Sequence, residues 1–232
     1  VLTQQTGSNG VLYALGGMIL IAFAIWLLRL GGGTSSGNWT RRGIAAAANA
    51  NIGSIAYHFG GKSGLHRACG EAVAEIMQNV VRPALAAAGD VTKLTPQAAR
   101  ALFPMLLRRV AGFLLTGHES DLVVPFILRE MAHPGEAFEA IYAAMVEPVH
   151  ASLCAVWQAA TGESAEREAT TLTVFAVMGQ LIYFRIGAPA VSRRLGRPDY
   201  SAAEVEAITA VIERNIAARL GPLPSGALEA SS

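Results

Sequence analysis

The side chains between Thr40 and Leu65 have the chemistry to meet a polyanion. Arg41, Arg42, Tyr57 and Lys62 can donate to phosphate oxygens, Arg42 is also suited to a base edge, and Ser54 and His58 can read one. Residues 1–70 contain Arg29, Arg41, Arg42, Lys62 and Arg67 and no Asp or Glu, so this end carries +5 and the other 162 residues −4 within a total of +1. A cationic end on a mildly acidic chain suits nucleic acid. Composition alone would equally fit a solvated face beside a hydrophobic terminus, and Lys62 alone would pass for an ordinary surface lysine. Spacing decides between these readings.

Two helices must hold those residues. Thr40 can cap a first helix to about Ala48, where Asn49 tolerates a left-handed conformation and ends it. Asn51 can then accept the free amides of a second helix, Ile52 to Phe59. Two helices of about eight residues joined by about three form a helix-turn-helix pattern. Ile55 and Phe59 share one face and point inward, while Ser54, Tyr57 and His58 spread over the remainder and Gly53 admits a neighbouring backbone. The expected DNA contacts are therefore Thr40, Arg41, Arg42, Asn51, Ser54, Tyr57, His58 and Lys62.

This stretch resembles the DNA-binding signature of the TetR family of transcription regulators. The match runs through Thr40, Arg42, Ile44 and Ala45, then Gly53, Ser54, Ile55, Tyr57, His58 and Phe59, then Lys62 and Leu65. Arg129 to Tyr142 and Val174 to Gly196 are similar to the C-terminal domain of the CecR-like branch, so the resemblance covers roughly residues 40–219. Asn49 and Ala50 replace the family's usual Gly-Val. Gly43 replaces a frequent acid, and a glycine inside a helix costs about 1 kcal/mol relative to Ala.

The resemblance implies an all-α chain with an N-terminal three-helix module containing the helix-turn-helix and a C-terminal helical ligand-binding and dimerisation domain. The expected division is 1–65 for the DNA-binding domain, 66–220 for the effector and dimer domain, and 221–232 for a fraying tail. It also implies a palindromic operator, a homodimer, an unidentified small-molecule effector that releases a repressor, and a cytoplasmic location. Phe103, Met105, Phe126, Met145, Trp157 and Tyr183 are candidates to line an effector cavity, the alternative for each being ordinary core. Leu172, Phe175, Gly179 and Ile182, with Ile208 and Ile212 on the last helix, are candidates for the dimer face, the alternative again being core.

Composition agrees with helices. The chain has 232 residues, 52% hydrophobic but only 7% aromatic, so its core must be aliphatic and rich in alanine. Cys69 and Cys154 are too few for a disulfide framework and read as small buried hydrophobes in a reducing compartment. Helical periodicity predicts a long helix from Lys62 to about Ala88 capped by Ser63, then Thr95–Leu115 bent or interrupted at Pro104, Asp121–Met131, Phe138–Ala160 kinked at Pro148, Glu163–Ile186 and Ala202–Leu220. Val11 to Leu28 meets the length threshold for a membrane span. It reads either as such a span, making the chain a membrane-tethered helical interaction protein, or as the first helix of the DNA-binding module, with 24–30 closing over Ile44, Ile55 and Phe59. No basic residue precedes that run, which argues against a signal peptide.

No enzyme chemistry emerges. The five histidines form no compact ligand set with metal-site spacing, His118 with Glu119 and Asp121 reads as a surface cluster, and Gly31–Gly33 lacks the downstream Lys of a phosphate loop. No metal or cofactor is implied.

Overall fold

The computed structural model describes residues 52–197 and 199–222. Among these, all regular structure is helical. In chain order the elements are α1 (Ile52–Phe59), α2 (Lys62–Ala88), a 3-10 turn (Val91–Lys93), α3 (Pro96–Thr116), α4 (Ser120–Ala132), α5 (Glu136–Ile141), a π-helical turn (Tyr142–Val146), α6 (Glu147–Thr161), α7 (Glu168–Ile186), α8 (Ala188–Leu195) and α9 (Ala202–Leu220). The chain divides into two compact units, Val1–Glu75 with Asp121–Ala144, and Ile76–Ser120 with Met145–Ser232.

In the first unit Leu65, Cys69 and Val73 of α2 share a core with Val123 and Phe126 of α4 and Ala137 and Ile141 of α5. The stripe at Leu65, Cys69 and Val73 repeats every four residues, so one face of α2 leaves water along its length. Gly70 lets backbones meet, since a Cβ there would lie 2.6 Å from the Ala137 carbonyl oxygen. Burial pushes the Cys69 thiol up to about 12, with the nearby Glu130 carboxylate adding to the effect, so this cysteine is a packing group.

The second unit is built around α3, which packs against α6, α7 and α9. Ala99, Leu102, Phe103, Leu106, Leu107 and Leu114 face inward, and the Phe103 ring meets Trp157 edge to face at 5.8 Å. Thr95 caps α3 by accepting from the Ala98 N–H at 3.2 Å, with Pro96 just inside. α9 begins with a capping box in which Glu204 accepts from the Ser201 N–H at 2.9 Å.

Several expectations need correction. Ser63 is the second residue of α2, not its cap. Of the two outcomes expected at Pro104, interruption does not occur: α3 continues through it, and burial of Leu102, Phe103, Leu106 and Leu107 on both sides offsets the roughly 3 kcal/mol that an interior proline costs. The distortion expected at Pro148 lies ahead of it, in the π turn Tyr142–Val146. A widened turn there accommodates the ring and the missing N–H. α7 starts at Glu168, not Glu163, because the Thr161, Gln158 and Ser164 side chains accept from the Glu163, Ala165 and Glu166 amides and hold that segment as a turn. α8 was not expected as a separate helix. Pro189 in its first turn and Gly196 just past its end are the signals that mark it.

One side chain ties three helices of the second unit together. Arg100 of α3 donates to the carbonyls of Ala160 (3.0 Å), Leu220 (3.1 Å), Gly221 (2.8 Å) and Pro222 (2.8 Å). Its charge thus sits at the negative ends of α6 and α9, satisfying carbonyls that helix termini leave unpaired. Arg100→Ala is expected to lower stability by roughly 2–4 kcal/mol. Arg100→Lys should recover only a fraction, because an ammonium lacks the planar fork. A urea titration checks this through the midpoint at unchanged slope; a midpoint within error of the parent would show the clamp to be idle.

Candidate nucleic-acid interface

α1 is two turns long, and near its C-terminal end it exposes two polar aromatic rings. Tyr57 is 85% exposed and His58 is also exposed, with the two rings set edge to face at 4.9 Å. No acid stands in the first turn of α1, and His58 lies in its last. Ser54 lies within α1. Thr40, Arg41, Arg42 and Asn51 lie outside the described residues, as do the first helix of the pair and residues 11–28.

The turn between α1 and α2 fixes where α1 points. The Gly60 N–H closes the last turn on the Ala56 carbonyl at 3.1 Å, and Gly60 and Gly61 take φ of 68° and 122°, a region that disfavours side chains. The Leu65 N–H then bonds the Gly61 carbonyl at 3.1 Å, starting α2. A Cβ at Gly64 would lie 1.7 Å from the Phe59 carbonyl oxygen, so only glycine fits there. Leu65 is fully buried, which anchors the first turn of α2. Lys62, the first residue of that helix, is exposed beside free amides of the N-terminus, an arrangement suited to phosphate. Gly60, Gly61 and Gly64 are the residues that motif-based reasoning undervalued, and the Gly-Gly-x-x-Gly spacing after an aromatic is the signal that marks them.

Not all of the local positive charge is available. Arg67 pairs with Glu71 at 3.1 Å one turn along α2, an exposed pair of small energetic weight that still offsets charge. Deeper, His66 meets the buried Glu130 at 3.0 Å and packs edge to face on Phe126, linking α2 to α4 within the first unit. Among the described residues no three His, Cys, Asp or Glu side chains gather as metal ligands.

The candidates for the effector cavity differ in unit and in burial. Phe103 and Trp157 are buried together in the second unit and Phe126 is buried in the first, whereas Met105 and Tyr183 are 45% and 60% exposed. Met145 is half-buried, at the C-terminal side of the boundary after Ala144. Met105 falls opposite the inward stripe of α3, and Tyr183 lies on the outer side of α7. Of the six, Phe103 borders a cleft of about 300 Å³, with Pro104, Ile216 and Leu220 as apolar wall and Arg100 and Glu213 at its edge.

The candidates for the dimer face also separate. Leu172 and Phe175 are 59% and 45% exposed, Gly179 is exposed with no heavy atom within 4 Å of where a Cβ would sit, and Ile182 is half-buried. Ile208 and Ile212 instead fill the core of the second unit at 7% and 1% exposure, because α9 turns that stripe toward α3 and presents Val211, 42% exposed, to solvent.

Comparison with known proteins bears on the family and the fold. A family model described as the C-terminal domain of the HTH-type transcriptional dual regulator CecR matches residues 99–223. The HTH-type transcriptional dual regulator CecR of Shigella flexneri is 30% identical over 184 residues, covering 77% of this chain and 81% of the relative. In fold, the chain is similar to a putative TetR-family regulator from Mesorhizobium loti, with a TM-score of 0.59 and 17% identity over 93% of this chain and 98% of that one. It is also similar to a TetR-family member from Streptomyces coelicolor, with a TM-score of 0.53 and 22% identity over 89% and 98% of the respective chains.

Two outcomes test the interface. Lys62→Ala is expected to weaken binding to all duplexes alike and to reduce the salt slope of log affinity by about one; an unchanged slope in a salt titration removes Lys62 from the footprint. Exchanging Ser54 or His58 is expected to change which duplexes are recovered from a random pool more than it changes Tm. A variant that melts early yet recovers the parent's sequences would assign the residue a structural role.

Proposed function

Because the chain belongs to the TetR family of transcription regulators and carries a CecR-like C-terminal domain, we propose that it is a homodimeric, effector-responsive regulator acting on a palindromic operator. The observation that carries the reading is the exposed Tyr57 and His58 on a helix that passes, through two glycines, straight into a helix N-terminus bearing exposed Lys62. Such a unit sets a short helix for a major groove and phosphate donors beside it. In this reading residues 1–65 bind DNA, 66–220 bind effector and partner, 221–232 form a tail, and Thr40, Arg41, Arg42 and Asn51 complete the footprint. The protein acts in the cytoplasm, as is usual for the family.

Dimerisation is supported by α7. Leu172, Phe175, Tyr183 and Ile186 leave large apolar side chains in water on one side, while Val174 and Leu181 are buried on the other. A helix apolar on both sides requires cover on both. A twofold partner supplies it and brings two reading heads to half-sites about one helical turn, or a multiple, apart.

The effector shifts a population between head spacings. Coupling of roughly 1–3 kcal/mol would change operator affinity about 5- to 150-fold, enough to release a repressor. α2 starts within the proposed DNA-binding span 1–65 and continues far into 66–220, so in this reading it is the element that carries the shift.

A membrane-tethered interaction protein held by residues 11–28 is the second reading. Glu136–Thr161 and Glu168–Ile186 are also long and apolar enough to cross a membrane, by length and composition. Partition of purified protein into detergent, against a dimer in plain buffer, separates the two. Selection of bound duplexes from a random pool tests the first directly: recovery of a palindrome is expected, and recovery of no common sequence would overturn it. Gly179→Glu is expected to split the dimer while circular dichroism stays helical, and to lower operator affinity sharply, since one head keeps half the contacts. Light scattering that still gives a dimer with full affinity would place the interface elsewhere.

A further inference from the structure

We propose that the cleft between α3 and α9 binds a small apolar amine in its protonated form, with the ammonium group on Glu213. The inference rests on the effector-responsive reading and deepens it by naming the ligand's chemistry and its seat.

Two polar ties within the second unit mark the ends of the cleft. Arg100 of α3 bonds carbonyls at the C-terminal end of α9, and Arg108, two turns further along α3, pairs with Glu213 two turns back along α9, so the helices run antiparallel. Between the ties the border is Pro104 and Ala217, whose short side chains leave about 300 Å³ open above a floor of buried Phe103, Ile216 and Leu220. That volume lies at the lower end for a ligand pocket and suits one ring with a short arm.

The groups left unpaired there accept hydrogen bonds. Arg100 engages four of its five N–H groups with backbone carbonyls, so it closes one end of the cleft without being free to grip an anion. Glu213 closes the other end. Its Oε2 accepts from Arg108 at 3.1 Å, but its Oε1 is buried and accepts no hydrogen bond, since Arg108 Nη2 stands 2.8 Å away with its N–H groups out of line. Pro104 adds a second acceptor, because without an N–H it leaves the Arg100 carbonyl lacking its helical donor. Acceptors short of donors beside an apolar floor favour a ligand that brings N–H groups.

Charge selects among such ligands. Glu213 and Glu206, the latter at 4.0 Å, share the single cation Arg108, so one negative charge is left over in this cluster. An ammonium supplies the missing charge and the missing donor together. An alcohol supplies only the donor, and a carboxylate supplies neither.

Calorimetry on the full chain without DNA tests the site, with 2-phenylethylamine, 2-phenylethanol and 3-phenylpropionate as probes of like shape at neutral pH. The amine is expected to bind about tenfold or more tighter than the alcohol, and the carboxylate weakest. Glu213→Gln should bring the amine to within about twofold of the alcohol while circular dichroism stays helical, since its exposed partner Arg108 is readily solvated. Ala217→Trp, at an exposed position on the rim, should block both probes. An amine that binds the parent no tighter than the alcohol, or that binds Ala217→Trp as well as the parent, would overturn the site. The regulatory reading is tested apart, by titrating a duplex recovered from the random pool with and without saturating amine, where a change in affinity of about fivefold or more is expected. Glu213-dependent binding with unchanged duplex affinity would keep the amine site and overturn its role as the effector's seat. Failed amine binding beside intact duplex recognition would overturn the site and leave the DNA-binding regulator standing.

Discussion

The close passage of the Phe59 carbonyl against the first turn of α2 constrains everything N-terminal and C-terminal to it. With a Cβ at Gly64 only 1.7 Å from that oxygen, the two helices meet backbone to backbone. Gly60 and Gly61 turn the chain within a left-handed region, so no slack residue separates the reading helix from the connecting helix. Leu65, fully buried four residues after Gly61, pins the far side of the turn. A short helix fixed this tightly cannot reorient independently of α2. The direction in which Tyr57 and His58 face is thus set by the long helix, and a regulator needs that coupling if a distant site is to alter DNA affinity.

Within the second unit, α3, α6 and α9 each bury one side and leave another in water. The inward side of α3 and the buried faces of α6 and α9 close a core of aliphatic residues around Phe103 and Trp157. Arg100 fastens the ends of α6 and α9 to it by four charge-assisted bonds. Gln180 of α7 and Asn215 of α9 add a side-chain bond at 2.7 Å. α7 is the exception, since its buried side is narrow and its exposed side is as apolar as a core. A helix of that composition leaves apolar area in water at a cost of about 25 cal/mol per Å².

The helices were legible because their causes are local. α1, α2 and α9 have the expected bounds and α3 starts within a residue of its expected place, since Thr95, Pro96 and Ser201 act through bonds or φ angles only a few residues away. Period-3.6 stripes likewise need no knowledge of partners. Misjudged boundaries had local rivals. Side-chain acceptors at Gln158, Thr161 and Ser164 hold residues 162–167 as a turn where periodicity suggested helix, and a π turn absorbs the strain assigned to Pro148.

By itself the sequence determined the helical class, the reading helix and the cationic chemistry of its surroundings, because spacing, capping and formal charge are properties of neighbours along the chain. Only the tertiary structure decided which face of each helix is inside. Ile208 and Ile212 and the exposed residues of α7 show equally good apolar stripes in sequence, yet α9 turns its stripe toward α3 and α7 turns one toward solvent. The clamp between Arg100 and the Leu220 carbonyl and the pairing of His66 with Glu130 were likewise invisible, since each joins residues far apart in the chain. Periodicity records that a face is apolar; what covers that face depends on contacts made after the chain has folded back on itself.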